Sequence, residues 1–359
     1  MTLGSWLRLL VVATAIIGGA AVVSRPLVAQ TVSEPALDKV RRIEVKTRKI
    51  SSFSRTEPAR RKFGSLEFRG GLVLTSPARA FGGFSGLTVD KDGKHFLAIS
   101  DEGAWLSAAI SYDGDTPVSI AEARLGPIQG LGGRQLDRKK DVDGESIALL
   151  DGDFRRGTVL IGFERNHRIG RFPVRDGIIG APLGYLKLPA EARRMRRNKG
   201  FEAVTVLVAG RYKGSVVAFS ERYPGSPHTH TGWIWTGGAP RKLTLPDIGG
   251  FELTDAASLR DGSLLLLERR FRWTEGVKMR IRRFTADSIR PGHVMEGKVL
   301  IEADLGSDID NMEGLAVHYD GTGRPVLTLI SDDNFNQFLQ RTILLQFTLT
   351  EEPQRASAH

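Results

Sequence analysis

Glu145, Glu202 and Glu313 each stand at the head of a short apolar run. A polar turn follows each run, then a second apolar arm that ends in further acids. In "DNMEGLAVHYDGTGRPVLTLISDDNF", residues 310–335, Glu313 opens the first arm and Asp332 and Asp333 close the second. If the arms fold back antiparallel, those carboxylates meet, and like charges at that distance repel unless something compensates. One compensator is a hard cation. Ca²⁺ takes about six to eight oxygen ligands, and Glu145, Glu202, Glu313, Asp332, Asp333 and Asn334 are the candidates to supply them. The other is arginine: Arg165, Arg222 and Arg269 each directly follow an acid at the end of a second arm. In one reading they only pair with the acids and fix the register of the elements. In the other they grip the oxygens of a polar or phosphorylated ester beside the metal. Glu145, Glu202 and Glu313 are then the candidate catalytic carboxylates, one of them free to take a proton from water.

The elements that must position these residues are visible in self-comparison. The pattern occurs five times: "FSGLTVDKDGKHFLAISDEG" (84–103), "DGESIALLDGDFRRGTVLIGFER" (143–165), "GFEAVTVLVAGRYKGSVVAFSER" (200–222), "LTDAASLRDGSLLLLERR" (253–270) and the 310–335 stretch. Aligning the copies puts Ser85, Glu145, Glu202, Asp255 and Glu313 at one position, with spacings of 60, 57, 53 and 58 residues. The second arms end at Asp101–Glu102, Glu164–Arg165, Glu221–Arg222, Glu268–Arg269 and Asp332–Asp333. Short arms rich in β-branched residues predict strands. Two inner strands per copy leave room for two outer ones, the size of a four-stranded propeller blade. The expected fold is all-β: a propeller of five or six blades over 63–350, with a β-sandwich pair as the structural alternative. "LEFRGGLVLT" (66–75) and "RTILLQFTLT" (341–350) are strand-like, and pairing them in one blade would close the ring. Such a ring would gather roughly ten carboxylates at one mouth of its channel.

Composition narrows the chemistry further. The 359 residues contain no cysteine, which excludes thiolate metal sites, cysteine nucleophiles and disulfides. Arg8 precedes an uncharged run from Leu9 to Val23 and small residues near Ala29. This reads as a signal peptide over 1–29 and predicts a periplasmic or secreted protein. An uncleaved anchor is the alternative, although the run is shorter than the ~20 residues of a membrane span. The formal net charge is +10, and the segment 30–62 is rich in Lys and Arg with little apolar period. It is expected to be a flexible basic linker able to touch an anionic envelope, with 351–359 a disordered tail. No nucleic-acid recognition motif occurs, and a monomer is expected. "SPHTHTGWIW" sets His228 and His230 two apart without a third ligand, and "GGFSGL" matches a nucleophile elbow only loosely.

Several motifs together resemble the phytase-like family of exported bacterial proteins, described as having esterase-like activity of phytase. They are "GGFSGL" with "SDEG", "DGES", "NKGFEAV", "NMEGLAV" and "SDDNFNQFLQRTILLQF". The resemblance spans about 63–350 and implies a β-propeller with Ca²⁺-assisted hydrolysis of phosphate or related polar esters at the channel mouth. Glu145, Glu202, Glu313, Asp332, Asp333 and Asn334 match its acidic motifs; Asp255 departs from them. Two other functions fit the same residues: a non-catalytic propeller that binds an envelope component, and a calcium-dependent, lactonase-like carboxyl esterase.

Overall fold

In the computed structural model, residues 37–196, 199–225 and 228–350 are described. The signal-peptide reading of 1–29 and the tail 351–359 lie outside the described residues. Among the described residues, runs of mostly buried apolar residues build strands of 2 to 12 residues almost throughout, with one short α-helix at Lys139–Val142. The strands form five antiparallel sheets among the described residues, so the count is five blades and no sixth is present there.

Blade 1 runs outward from Phe84–Val89 through His95–Ser100, Ala104–Asp113 and Thr116–Pro127. Blade 2 begins with Gly144–Gly152 and Arg156–Phe163, blade 3 with Phe201–Val206 and Val216–Ser220, and blade 4 with Glu252–Ser258 and Leu264–Arg272. Blade 5 begins with Asn311–Tyr319 and Pro325–Asp332 and continues to Thr342–Leu349. The next strand outward is Leu66–Thr75, which pairs antiparallel with Thr342–Leu349, so this blade contains strands from both ends of the chain. The five inner strands touch in cyclic order, blade 5 against blade 1 included. Apolar side chains fill the spaces between neighbouring sheets, as where Leu87, Phe96 and Leu106 of blade 1 meet Ala316 and Ile330 of blade 5.

The segment read as a flexible basic linker is folded from residue 37 onward. Arg41–Arg42 pairs with the outer strand of blade 1, and Lys46–Ile50 pairs with Leu66–Thr75 at the edge of blade 5. Few apolar residues are needed to hold it, because an exposed sheet edge supplies the hydrogen bonds. Ile50 and Phe53 anchor it in the core, where Phe53 stacks edge-on to Phe63 and Phe347.

Candidate active site at the channel mouth

Every inner strand carries a β-bulge near its start. The ladder skips one residue between Phe84 and Gly86, between Gly144 and Ser146, between Phe201 and Ala203, between Leu253 and Asp255, and between Met312 and Gly314. The skipped residues are Ser85, Glu145, Glu202, Thr254 and Glu313. A bulge puts two residues opposite one and re-aims the extra side chain. Here all five point to one cavity of about 210 Å³ at the mouth of the channel. Just past the bulge the inner strands pack too closely for a side chain at two of the blades. A Cβ on Gly314 would lie 2.6 Å from Ile330 and 2.8 Å from Leu87, and one on Gly86 would lie 2.9 Å from the backbone of blade 2.

A second ring comes from the residues one position past the second-strand partner of the residue that precedes each bulge. Phe84 pairs with Ser100, Gly144 with Phe163, Phe201 with Ser220, Leu253 with Glu268, and Met312 with Ser331. One residue on stand Asp101, Glu164, Glu221, Arg269 and Asp332, and all five line the same cavity. The mouth thus holds seven carboxylates from the two rings, together with Arg269, Ser85 and Thr254, and not the roughly ten acids expected. Blade 4 accounts for part of the difference. The bulge shifts its register by one relative to the sequence alignment, so Thr254 and not Asp255 faces the cavity. Asp255 is fully buried and accepts hydrogen bonds from the backbone N–H groups of Ala256 (2.8 Å), Leu315 (2.7 Å) and Leu87, tying three inner strands together. Glu268 is also fully buried, between Arg280 and Arg282, each with Nε at 2.6 Å from it.

Of the three arginines proposed to bind substrate, only Arg269 lines the cavity. Its guanidinium lies 3.6 Å from Glu313 and 3.9 Å from Glu252. Arg165 and Arg222 are largely in solvent and turn to acids outside the cavity, Asp143 at 2.7 Å and Glu252 at 2.9 Å. A strand end leaves a long side chain free to choose, and these acids are nearer. Two lysines occupy places that the repeat pattern did not mark. Lys199 meets Glu221 at 2.5 Å within the cavity wall. Lys139, from the short helix, reaches Asp101 at 2.7 Å and Asp143 at 2.9 Å. Lys199 stands in the "NKGFEAV" motif, a signal that could have found it. Nothing in the repeats points to Lys139.

Asp333 is not placed to bind a metal in the cavity. Its carboxylate turns to the blade 1 entry loop, accepting from the N–H groups of Gly83 (3.0 Å) and Phe335 (3.1 Å). Asn334 does line the cavity, in a left-handed conformation with φ 47°. Its N–H donates to Asp332 Oδ1 at 2.6 Å.

The cations stop short of the centre. Among the described residues, no donor hydrogen-bonds the buried Glu202 Oε1. Burial holds Glu145 well above the ordinary carboxylate range, reinforced by Glu202, Glu313, Asp143 and Asp101. Burial does the same to Glu202, reinforced by Glu221 and Glu164. Asp332 is pushed up to about 8 by burial and by Glu313, and Glu221 to about 8 by burial and by Glu252. Glu164 is raised to about 7 by burial and by Asp143. Two groups of oxygens are close enough to share one ion. Asp143, Glu145 and Glu164 lie within 4.8 Å of one another, and so do Glu164, Glu202 and Glu221. Opposed ligands of Ca²⁺, each at about 2.3–2.6 Å from the ion, are separated by about this distance. Glu313 lies outside both groups and accepts from Asn311 Nδ2 at 2.8 Å.

A family model described as phytase-like, with esterase-like activity of phytase, matches residues 79–335. No curated protein matches the sequence. Similar solved structures include a hypothetical protein from Leishmania major, 12% identical, with a TM-score of 0.39 over 78% of this chain and 89% of that one. U3-55K is 10% identical, with a TM-score of 0.34 over 71% of this chain and 79% of that one.

Proposed function

The chain belongs to the phytase-like family, and on that premise we propose that it hydrolyses phosphate esters or related polar esters at the acidic channel mouth, with Ca²⁺ held among the carboxylates. The observation that carries the reading is the pair of carboxylate groups centred on Glu164, together with Glu202 Oε1, which no described residue hydrogen-bonds. A purely structural ring would end its acids on arginine or lysine, as Asp143 and Glu221 do. Glu145 and Glu202 instead face other carboxylates, an arrangement that suits a hard divalent cation.

Glu145, Glu164, Glu202 and Glu221 would hold the ion, with Asp143 beside them. When bound, Ca²⁺ would supply positive charge to an ester oxygen and lower the pKa of a water. Arg269 and Lys199, on the cavity wall, orient the ester by its remaining oxygens through charge-assisted hydrogen bonds. Glu313 is the carboxylate best placed to take the proton of the attacking water. It stands apart from the dense groups and is steadied by Asn311 and Arg269, and burial raises its pKa above the ordinary carboxylate value. Export through the N-terminal segment would put the enzyme where millimolar calcium is common.

The test is turnover of phosphomonoesters, carboxyl esters and lactones by the full chain, with Ca²⁺ and with chelator. Calcium-dependent phosphate release, lost in Glu313→Gln, supports the proposal. Calcium-dependent lactone or carboxyl-ester cleavage without phosphate release would replace the substrate class. No turnover of any ester would make the mouth a binding site.

A further inference from the structure

The inner strands start at the acidic mouth and run to the opposite face, where Val89, Val206, Ser258 and Tyr319 are the last residues of four of them. These four residues line a second cavity, of about 390 Å³, to which the inner strand of blade 2 adds Ala148 and Leu149. No residue lines both cavities. Between them stands Asp255, tied to the N–H groups of Leu87 and Leu315, at the level where Gly86 and Gly314 leave no room for a side chain. The two ends of the channel are therefore separate sites of opposite character. The wall of the second is largely aliphatic, and the small side chains of Ala148, Ala256, Ala257 and Ala316 leave it its space.

The polar groups of this wall are mainly donors. Thr88 and Thr205 are 7% and 6% exposed, and their hydroxyls have no hydrogen-bond partner among the described residues. Lys91 and Arg260 also line the cavity, no carboxylate does, and neither cation has an ion pair among the described residues. Arg260 is held in place by Tyr319: its guanidinium carbon lies 3.9 Å from the ring centroid, and its N–H donates to the hydroxyl at 2.6 Å. His318 is buried and adds no charge at neutral pH, since burial and Arg69 lower its pKa to about 4. The turns at this face, 90–94, 151–157, 207–215, 259–263 and 320–324, hold eight Lys and Arg against six Asp. Five of those acids are spent within their own turns. Asp90, Asp92, Asp153, Asp261 and Asp320 each accept from a backbone N–H one to four residues further on. Asp261 also pairs with Arg283, and Asp320 with Arg69 and Arg324. The sixth, Asp151, is exposed and does not line the cavity.

Aliphatic walls, unused donors and two unpaired cations suit an anion carried on an apolar body. We propose that this second cavity binds a small aliphatic carboxylate, its chain along the alanine-rich wall and its head toward Lys91 and Arg260, with Thr88 and Thr205 donating to its oxygens. A single negative charge fits better than a phosphate dianion, because a second charge would lose its water against aliphatic side chains. The site lies away from the acidic mouth and does not rest on the hydrolase reading.

The experiment is calorimetric titration of the full chain with sodium octanoate, and separately with 1-octanol, at neutral pH and low salt. EGTA is present throughout, so that calcium at the acidic mouth does not attract the carboxylate. Octanoate should bind at least about tenfold more tightly than octanol. Lys91 and Arg260 are exposed, so Lys91→Gln with Arg260→Gln should leave the unfolding midpoint in place while weakening octanoate about tenfold or more. Val208, 47% exposed, also lines the cavity. Val208→Asp should weaken octanoate about threefold and Val208→Lys strengthen it about threefold, opposite signs that a change of packing alone would not give. Equal binding of octanoate and octanol, an octanoate affinity unchanged in the double variant, or no binding at millimolar octanoate overturns the inference. Ester turnover is assayed separately, and its presence or absence bears only on the acidic mouth.

Discussion

Carboxylates held protonated by burial make a definite statement about stability. In the unfolded chain Glu221 titrates near 4.5 and Asp332 near 3.8, whereas in the fold both are pushed up to about 8. Between those limits the folded protein binds more protons than the unfolded chain, so stability is greatest at low pH and falls as pH rises through 8. Each pK unit is worth about 1.4 kcal/mol. A single group raised by three to four units would lose roughly 4–6 kcal/mol across the range, and Glu145, Glu202 and Glu164 are raised in the same direction. These groups share protons, so the loss is less than the sum, but several kcal/mol is a large part of the about 5–15 kcal/mol typical of a domain. Calcium should reverse it. At about 100 times its dissociation constant a bound ion adds roughly 2.7 kcal/mol, and it should do so at pH 8 and hardly at all at pH 5, where protons occupy the ligands. The assay is urea unfolding at a series of pH values, in EGTA and in CaCl₂. If the midpoint in EGTA rises from pH 5 to pH 8, or calcium leaves the pH 8 midpoint unmoved, the reasoning fails.

The remaining predictions separate cavity from scaffold. Glu268→Gln strips the buried Arg280 and Arg282 of their shared charge; it should destabilise by about 3–5 kcal/mol in denaturant unfolding without altering calcium affinity. Asp255→Ala removes the acceptor for three backbone N–H groups and should destabilise by roughly 2–4 kcal/mol, again with calcium affinity unchanged in calorimetry. Arg269→Ala should lower kcat/KM about 10- to 100-fold, the worth of a charge-assisted contact. Arg222→Ala, whose partner lies outside the cavity, should change both stability by less than about 1 kcal/mol and turnover little.

The legibility of the site varied from blade to blade. In blades 2, 3 and 5 the bulged glutamates Glu145, Glu202 and Glu313 sit at equivalent places in the repeats, and the structure brings all three into one cavity. Blade 4 misled the alignment because Asp255 is the acid nearest the expected place. Its ladder skips Thr254 instead, and a bulge has no residue signature of its own in "LTDAAS". Asp333 misled for a related reason: neighbours in a chain leave a strand in opposite directions, so Asp332 enters the cavity while Asp333 turns to Gly83. The arginines failed as a set, since a flexible side chain at a strand end is placed by its nearest acid and not by its position in a repeat. The basic segment before the propeller lacked apolar periodicity because an edge strand is held by backbone hydrogen bonds, which any residue but proline can donate.

What the sequence determined by itself was the repeat, the strands within it and the convergence of acids at one mouth. All three follow from apolar periodicity and from the identity of one residue per repeat, and both are local. What only the tertiary structure decided was which acids stay uncompensated. That depends on the bulge register in each blade and on cations such as Lys139 and Lys199 arriving from connections outside the repeated strands. It also depends on the distances between carboxylates of different blades. Those quantities exist only once the inner strands have met around the channel.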